Sequence, residues 1–531
     1  MKSQSTFTPS LHPTAQAPEP IEEGRLRSIN PSDGTLLGDV ELVTPESIPT
    51  LVERAQEAQR AWMRRPLSTR IQRARRLTQD ILNWRAELLD LLADETGKSP
   101  VEARRELWNA CEELADITSK APESLGESRS SRWSGGQPQT VRWRPRGVVL
   151  VLASAYSPLH TALAPMVAAL VAGNAVIVVP DDRSPLTAHS LVNVATSAGI
   201  PDALVQAVAG GPAVIDALAN QADAIVSYGS AVLTRRLSRA QSARFIPLLG
   251  RWPTGDVVVV LSDADLEHAA RSAVQACCIG SGRGYRSPAR IYVQDTVIDP
   301  FLDAVVEEVG RLRTPRGSAG TVSAPESTGP VGPLFDSEDL HRLESLVEGA
   351  ISAGARLVAG GRKRPRSRGY FFEPTILSHV DEEMALWQQC PPGPLITLAT
   401  FSAPAEAVLR VRSLPGYGQV ALFSKSRSVI DDLARRLDAP LVGVNAIFDE
   451  LPAASDPVAT SLQGPTDPVG AHRLQALSHR VVLLENRLDR IHLALRRRSE
   501  GQLLRAMDSA LALFHRQGLL RRTAEALWPP R

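Results

Sequence analysis

The feature that most constrains the fold is an alternation of apolar runs and helical segments. The runs GVVLVLA, NAVIVVP, ALVQAVA and AIVSYG lie between Gly147 and Gly229, and helical patterns begin at Pro158 and Pro185. Short, continuously apolar strands that alternate with helices are typical of a parallel sheet covered by helices on both faces. The pattern therefore predicts an α/β fold whose first sheet is of the Rossmann type.

The rest of the chain body carries related patterns. A second alternation runs from DVVVVLSDADLEHAA to LVGVN and predicts another α/β region over residues 256–445. Before the first sheet, residues 29–40 (INPSDGTLLGDV) hold an Asp-Gly turn between two extended runs, which predicts a hairpin. Two long helical patterns follow, over 44–65 and 68–119, and Gly97 and Pro100 mark a break in the second.

The two ends of the chain differ from its body. Residues 1–24 are polar and proline-rich and predict a disordered tail. Residues 486–531 hold ten arginines against four acids and show helical periodicity. Two interpretations of this basic helical extension stay open. It forms amphipathic helices packed on the body or on a neighbouring subunit, or it offers a basic surface to an acidic partner.

Composition excludes several classes of function. The net charge is only +1, from 59 basic and 58 acidic residues. The chain as a whole therefore has no excess positive charge that would attract nucleic acid or an anionic membrane surface. No apolar run reaches the roughly 18 residues that a spanning helix needs. The histidines show no metal-ligand spacing, so no metal is predicted. The four cysteines are Cys111, Cys277, Cys278 and Cys390. Their number and spacing fit neither a disulfide framework nor a zinc site, which indicates a reducing, cytoplasmic location.

A series of motifs resembles, in the same order, the aldehyde dehydrogenase superfamily. The motifs are INPSDG, ETGKSPVEA, RPRGVVLVLASAYSPLHTALAPMVAALVAGNAVIVVPDDRSPLTA, SAGIPDALVQAVAGG, LSDADLEHAA, GYFFEPTIL, GPL, YGQVALFS and VGVN. They extend over roughly residues 25–485. The resemblance implies an aldehyde dehydrogenase-like α/β fold with three parts. These are a Rossmann-type cofactor domain (25–122 and 146–253), an α/β catalytic domain (254–453) and a small β oligomerisation element (123–145 and 471–485).

The resemblance implies a chemistry in which each step needs one residue type. A cysteine thiolate attacks the aldehyde, and a side-chain amide stabilises the oxyanion. Hydride passes to NAD or NADP, and a glutamate activates the water that releases the acid. The family's Asp-Ala-Asp-Leu segment matches Asp263–Leu266, and the arginine after its nucleophile matches Arg290. Both anchors place Tyr285 at the nucleophile position. Cys277 and Cys278 lie upstream, in a predicted buried helix.

The other catalytic positions implied by the resemblance are also substituted. The family's Pro-Trp-Asn-Phe-Pro segment matches residues 154–158, which puts Tyr156 at the oxyanion asparagine. The general-base glutamate is expected near Leu249 or Arg251, yet residues 231–262 contain no glutamate. The two tyrosines add bulk to a tunnel that the family keeps open. GSGRG, just before Tyr285, does not open a βαβ unit and is interpreted as a loop.

The cofactor positions that the resemblance implies are Val179, Asp182, Gly229, Ser230, Cys390 and Pro392. Val179 replaces a ribose-contacting lysine, whereas Asp182 keeps the acidic residue beside it. In CPPGP, Cys390 and Pro392 replace the glutamate and phenylalanine of the family motif. The Gly-Ser turn is retained and suits a pyrophosphate at a helix start, although the glycine alone also serves a tight turn. NAD or NADP is thus the implied cofactor, with half of its contacts changed.

Three functional hypotheses follow from the resemblance. The first is a pseudoenzyme that acts as a structural or regulatory subunit. The second is an active NAD(P)-dependent oxidoreductase that oxidises an aldehyde to a carboxylic acid by altered chemistry. The third is a dinucleotide sensor without turnover. The family's projecting hairpin (123–145) and the late strand HRVVLLE further imply a homo-oligomer, a dimer or tetramer, or assembly with an active paralogue.

Overall fold

The computed structural model describes residues 24–130, 139–229, 231–251, 256–284, 287–312, 331–365, 367–389, 393–414, 418–439, 441–447 and 471–484. The chain divides into two compact units, each described here over these residues only. Unit 1 is Met1–Ser124 with Pro145–Leu477, and unit 2 is Leu125–Arg144 with Ser478–Arg531. Almost all of the predicted tail (1–24) and the whole predicted extension (486–531) lie outside the described residues.

The α-helices of the described residues are α1 (Ile48–Trp62), α2 (Leu67–Asn83), α3 (Arg85–Thr96), α4 (Pro100–Leu125), α5 (Pro158–Ala172), α6 (Pro185–Ser197), α7 (Pro212–Ala219), α8 (Ala231–Arg244), α9 (Leu266–Cys278), α10 (Ile298–Arg311), α11 (Ser337–Ser352), α12 (Ala385–Gln389), α13 (Pro404–Ser413), α14 (Arg427–Arg436) and α15 (Ala471–Ala476). Prolines occupy the first positions of several of them, where the missing N–H costs no hydrogen bond.

The β-strands of the described residues are β1 (Arg25–Ile29), β2 (Leu36–Glu41), β3 (Ser128–Ser130), β4 (Gln139–Pro145), β5 (Val148–Leu152), β6 (Ala175–Val179), β7 (Val205–Ala207), β8 (Ala224–Tyr228), β9 (Leu248–Arg251), β10 (Asp256–Val260), β11 (Pro288–Gln294), β12 (Arg356–Ala359), β13 (Thr375–Ser378), β14 (Leu395–Phe401), β15 (Gln419–Phe423), β16 (Leu441–Val444) and β17 (Ser478–Leu484). β1 and β2 pair antiparallel, as predicted for the hairpin.

The first sheet of unit 1 confirms the predicted parallel sheet. Its order is β7-β6-β5-β8-β9, and every neighbouring pair is parallel. Every residue of β5, β6 and β8 is buried, and so is nearly all of α5, which packs beside them. Strands with two covered faces need side chains that are apolar throughout, and this explains the continuous runs in the sequence.

The second sheet of unit 1 contains seven strands in the order β12-β13-β14-β11-β10-β15-β16. Only β12 is antiparallel to its neighbour, at one edge. Apolar side chains fill both faces of this sheet, with α11 to α14 covering one face and α9 and α10 the other. The second predicted α/β region is therefore present, and the predicted α/β fold class is confirmed.

One helix boundary was not predicted. The pattern over 68–119 forms three helices, α2, α3 and α4, because the chain bends at Trp84 as well as at Gly97. Gly97 was the expected break and adopts a left-handed φ of 67°. Trp84 carries no such signal: its backbone leaves the helical range (φ −90°, ψ 16°) while its side chain stays exposed. On either side of this bend, α2 packs on α5 and α6, and α3 packs on α6.

Unit 2 contains a three-stranded sheet in the order β17-β4-β3. Its strands lie inside the β element predicted at 123–145 and 471–485. Residues 471–476 differ from that prediction, because they form helix α15 in unit 1, where Leu474 and Leu477 are fully buried. A role of this sheet in oligomerisation stays a prediction.

Candidate functional site

The candidate site lies at the carboxyl edge of the first sheet. β5 is central, with β6 on one side and β8 on the other, and the three strands run in parallel. Their carboxyl ends therefore open onto one edge, where crevices of α/β sheets bind ligands. Tyr156 follows β5, Asp182 follows β6 and Gly229 follows β8. The structure thus brings three of the sequence-predicted residues to the same edge.

The loop after β5 is held rigidly beneath the start of α5. Ser154 N donates to Thr161 Oγ1 at 3.0 Å, and Thr161 Oγ1 donates to the Ser157 carbonyl at 2.6 Å. Tyr156 N donates to Ser154 Oγ at 3.2 Å. Side-chain hydrogen bonds of this kind satisfy backbone groups that a short loop leaves unpaired. These hydrogen bonds position the Tyr156 backbone between β5 and α5.

The Tyr156 ring fills the space between two cations and a glycine. Lys98 Nζ lies 4.1 Å from the ring centroid, and the Arg283 guanidinium carbon lies 5.7 Å from it. Both distances fall within cation–π range. A Cβ atom on Gly280 would overlap the tyrosine hydroxyl and come within 2.7 Å of ring carbons Cε2 and Cζ. Tyr156 and Gly280 therefore fit each other closely, and only glycine leaves room for this ring.

The glycine-rich loop after α9 has an unusual backbone. Gly280, Ser281 and Gly282 all adopt left-handed conformations, with φ of 61°, 57° and 66°. Such conformations cost little for glycine and more for serine. Tyr285, the predicted nucleophile position, follows directly but lies outside the described residues.

The paired cysteines lie in the buried end of α9, as predicted. Cys277 and Cys278 are at most 1% exposed and pack in the apolar core of the second sheet. Burial raises the pKa of the Cys278 thiol to about 12. A thiol of that pKa is almost entirely protonated at neutral pH and is a poor nucleophile. Both cysteines serve packing in this position.

The predicted cofactor positions differ in what they offer. Val179 ends β6 and is 2% exposed, so it presents no polar side chain. Asp182 is half-buried; burial, then the neighbouring Asp181, raises its pKa to about 6, and Arg183 partly opposes them. Gly229 lies at the junction of β8 and α8. Ser230, Cys390 and Pro392 lie outside the described residues.

Sequence reasoning missed an aromatic and arginine cluster beside this edge. Arg183 binds Asp181 through two hydrogen bonds of 2.8 and 3.1 Å and forms an ion pair with Asp339 of α11 at 3.3 Å. Arg183 and Arg283 also lie 4.8 and 4.1 Å from the centroid of the Phe335 ring. The only sequence signal for Arg283 was the motif GSGRG, which was interpreted as a loop.

A network of buried charged groups contacts the start of α5, next to the Tyr156 loop. Lys98 Nζ binds Glu106 Oε2 at 2.6 Å, and Glu106 Oε1 accepts from the backbone N–H groups of Leu159 and His160 at 2.9 and 3.0 Å. The carboxylate therefore satisfies the first turn of α5, where helix N–H groups are free and the dipole is positive.

Further along α4, Glu113 continues this network. Its Oε2 lies 2.8 Å from His160 Nε2, and its Oε1 lies 2.8 Å from Arg473 of α15. Arg473 also donates to the Tyr228 hydroxyl at the end of β8, at 2.8 Å. α4, α5, α15 and β8 are thereby connected by charged groups behind the candidate site.

Comparison with known proteins gives the family. Residues 19–457 match the family model described as "Aldehyde dehydrogenase family". The chain belongs to the aldehyde dehydrogenase family. The resemblance inferred from the ordered motifs is thereby confirmed for most of the chain.

Among curated relatives of this family, the putative succinate-semialdehyde dehydrogenase (NADP(+)) 2 of Mycobacterium ulcerans is 29% identical over 427 residues, covering 78% of this chain and 79% of the relative. The 3,6-anhydro-alpha-L-galactose dehydrogenase of Vibrio sp. is 27% identical over 436 residues, covering 80% and 88%. A solved Mycobacterium tuberculosis aldehyde dehydrogenase complexed with NAD+ has a TM-score of 0.80 at 21% identity, covering 88% of this chain and 96% of that one. This structural likeness shows the fold.

The two positions expected for the general base lie in strand β9. Leu249, one of the two expected base positions, is buried in β9, and Arg251 ends that strand. Among the described residues, no cluster of His, Cys, Asp or Glu could hold a metal ion. In that part of the chain, no helix is both long and apolar enough to cross a membrane. The family roles of Tyr156, Tyr285 and the cofactor positions stay predictions.

Asp182 makes the stability of this site depend on pH. A carboxyl whose pKa rises on folding favours the folded state below its unfolded pKa and loses that contribution as pH rises through its folded pKa. With a pKa raised from 3.8 to about 6, Asp182→Asn should therefore raise the free energy of unfolding at pH 7. We expect a gain on the order of 2 kcal/mol, allowing for partial exposure to solvent, and no gain below pH ~4.

Chemical denaturation at pH 4 and pH 7 measures this difference for the wild type and the variant. Asp202→Asn is the matched control, because its side chain is 76% exposed. A gain from Asp182→Asn that is equal at both pH values would rule out this titration.

Proposed function

We propose that this chain is a member of the aldehyde dehydrogenase family that does not carry out the family's thioester chemistry and acts as a structural or regulatory subunit. The observation that carries the proposal is the Tyr156 ring. It takes up the space between Lys98, Arg283 and Gly280 at the carboxyl edge of the sheet. The resemblance in sequence implies a small amide side chain at this position.

The side chains at the other positions support the same conclusion. With Tyr285 in place of the thiol, the nucleophile would be a phenol, whose ordinary pKa is about 10 against about 8.5 for cysteine, so roughly 0.1% is ionised at neutral pH. No glutamate occurs in 231–262 to activate water. In other enzymes, losing a covalent nucleophile alone lowers turnover on the order of 10⁶-fold. Here the nucleophile, the amide and the base are all replaced.

The residues at the crevice fit NAD or NADP only in part. Gly229 at the start of α8 suits a pyrophosphate, because helix N–H groups attract anions. Val179 is apolar and buried at the position where the resemblance implies a lysine, and Arg183 is already engaged by Asp181 and Asp339. This side-chain set does not fit the group as a whole, so we derive no hydride-transfer step from it.

The second candidate is an active NAD(P)-dependent oxidoreductase with altered chemistry. It is favoured by Asp182 and Gly229, which remain at the crevice, and by relatives whose names include succinate-semialdehyde dehydrogenase with NADP(+). Under this alternative, an aldehyde is oxidised to a carboxylic acid without a cysteine. Tyr285 is then the residue most directly tested.

Absorbance of NADH or NADPH decides between the two candidates. We expect no increase when the full-length protein is mixed with NAD⁺ or NADP⁺ and a panel of aldehydes that includes succinate semialdehyde. Turnover that disappears in Tyr285→Phe, and persists in the control Tyr370→Phe, would contradict the proposal. Calorimetry with NAD⁺ and NADP⁺ on the same sample separates a dinucleotide sensor from a chain without cofactor binding.

Self-association in the cytoplasm is part of the proposal. In unit 2, the order β17-β4-β3 leaves β3 and β17 as sheet edges over the described residues. Unpaired edge strands favour pairing with another chain. We therefore infer a dimer or tetramer, or assembly with an active paralogue, and light scattering on the assay sample reports which state is tested.

A further inference from the structure

Arg283 is a buried cation whose charge is not matched by a bound carboxylate. Its side chain is 5% exposed, and it donates to two backbone carbonyls: Nε to Gly280 O at 3.2 Å and Nη2 to Thr96 O at 2.8 Å. Nη1 is buried and has no hydrogen-bond partner. Within the part of the chain that the structure describes, no carboxylate forms an ion pair with Arg283. One N–H donor group of the guanidinium is therefore unsatisfied.

The energetic cost of this arrangement is large. A buried charge is stable in a protein mainly when an opposite charge or a full set of hydrogen bonds compensates it. Two other buried cations follow this rule, since Lys98 binds Glu106 at 2.6 Å and Arg473 binds Glu113 at 2.8 Å. Burial lowers the pKa of Arg283 to about 10, which leaves it charged at neutral pH. A buried cation without a bonded counter-charge is a candidate for binding an anionic ligand.

A second unpartnered donor lies two residues away. Ser281 is fully buried, its Oγ has no partner, and its backbone is held at a left-handed φ of 57°. Its Oγ lies 3.3 Å from the position that a Cβ of Gly332 would take, and the Arg283 guanidinium lies over Phe335. Both donors therefore border the same short segment, residues 332–335.

Acidic groups near Arg283 are already used elsewhere. Glu102 accepts from the backbone N–H groups of Ser99, at 2.8 Å, and of Gly280. Asp339 pairs with Arg183 at 3.3 Å. These carboxylates reduce the local positive potential without supplying a bonded counter-ion for Arg283. A monoanion is therefore matched to the site better than a multiply charged anion.

The shape of the cluster favours a planar ligand. The guanidinium carbon lies 4.1 Å from the Phe335 centroid and 5.7 Å from that of Tyr156, so aromatic rings border it. A stacked guanidinium presents its N–H groups at its edge, where a flat carboxylate can lie in the same plane.

We propose that Arg283 Nη1 and Ser281 Oγ form a binding site for a small monocarboxylate beside the Tyr156 and Phe335 rings. The site binds its ligand without any covalent step and does not depend on turnover. The proposal goes beyond the proposed function, because it assigns a ligand to a chain for which no catalysis is proposed. Occupation of the site supplies the counter-charge that Arg283 lacks and stabilises the Gly280–Gly282 turn.

Calorimetric titration of the full-length protein with sodium acetate tests this site, with sodium chloride at equal ionic strength as the reference. Wild-type protein should bind acetate with saturable heat. Arg283→Gln should weaken binding roughly 10- to 100-fold, as expected for loss of a hydrogen bond to a charged group. Ser281→Ala should weaken it roughly fivefold. Arg239→Gln, an exposed arginine on α8, should bind as the wild type does.

Several results would overturn the site. The site is ruled out if titration with acetate releases no more heat than titration with chloride. It is also ruled out if Arg283→Gln binds acetate as tightly as the wild type does. Tighter binding of inorganic phosphate than of acetate contradicts the planar monoanion. If Arg283→Gln does not fold, Ser281→Ala decides, since it keeps the guanidinium in place. None of these readouts uses turnover, so they leave the proposed function untouched.

Discussion

Arg473→Met is expected to lower the free energy of unfolding by about 3–5 kcal/mol, because it removes the guanidinium partner of a buried carboxylate. The Arg473 and Glu113 side chains are only 2% and 1% exposed, and their charged atoms lie 2.8 Å apart. The same substitution removes the donor to the Tyr228 hydroxyl. Methionine keeps much of the apolar volume, so the loss reports the charge and its hydrogen bonds.

Chemical denaturation followed by tryptophan fluorescence measures this effect. Arg427→Met is the matched control: its side chain is 74% exposed and pairs with Asp431 within α14, so a change within about 0.5 kcal/mol is expected. Glu113→Gln combined with Arg473→Met should be less harmful than the sum of the two single changes. If Arg473→Met lowers the free energy of unfolding by less than about 1 kcal/mol, the Glu113 carboxylate does not depend on the Arg473 charge for its stability in the core.

Gly280→Ala is expected to cost about 3 kcal/mol, through two separate effects. The added Cβ would overlap the Tyr156 hydroxyl and come within 2.7 Å of two ring carbons. Overpacking of a buried contact typically costs about 1–3 kcal/mol. The left-handed φ of 61° adds roughly 1–2 kcal/mol for any residue with a Cβ.

A double-mutant cycle with Tyr156→Ala separates the two effects. Without the ring, the overlap disappears and only the backbone strain should remain, so the two changes should couple by about 1–2 kcal/mol. Gly349→Ala, inside α11 with no atom near its added Cβ, is the control and should be neutral or stabilising by up to about 1 kcal/mol. Additive costs would contradict the placement of the Tyr156 ring against Gly280.

Much of the fold could be predicted because its signals are local. GVVLVLA, NAVIVV and DVVVV can be satisfied only as strands covered on both faces, and they form β5, β6 and β10. Gly97 predicted a helix end, because glycine readily adopts the positive φ that is common at helix C-termini. By contrast, the bend at Trp84 and the helix at 471–476 depend on which surfaces they pack against, and no local residue type signals them.

The sequence by itself determined which chemical groups are available: a tyrosine at 156, no glutamate in 231–262 and a valine ending β6. Side-chain identity follows directly from the chain, whereas the family roles of these positions stay predictions. Only the tertiary structure decided that Lys98 and Arg283 meet the Tyr156 ring, and that Arg283 is buried without a carboxylate. The physical reason is that burial and charge pairing depend on segments far apart in sequence, which only the folded sheet edge brings together.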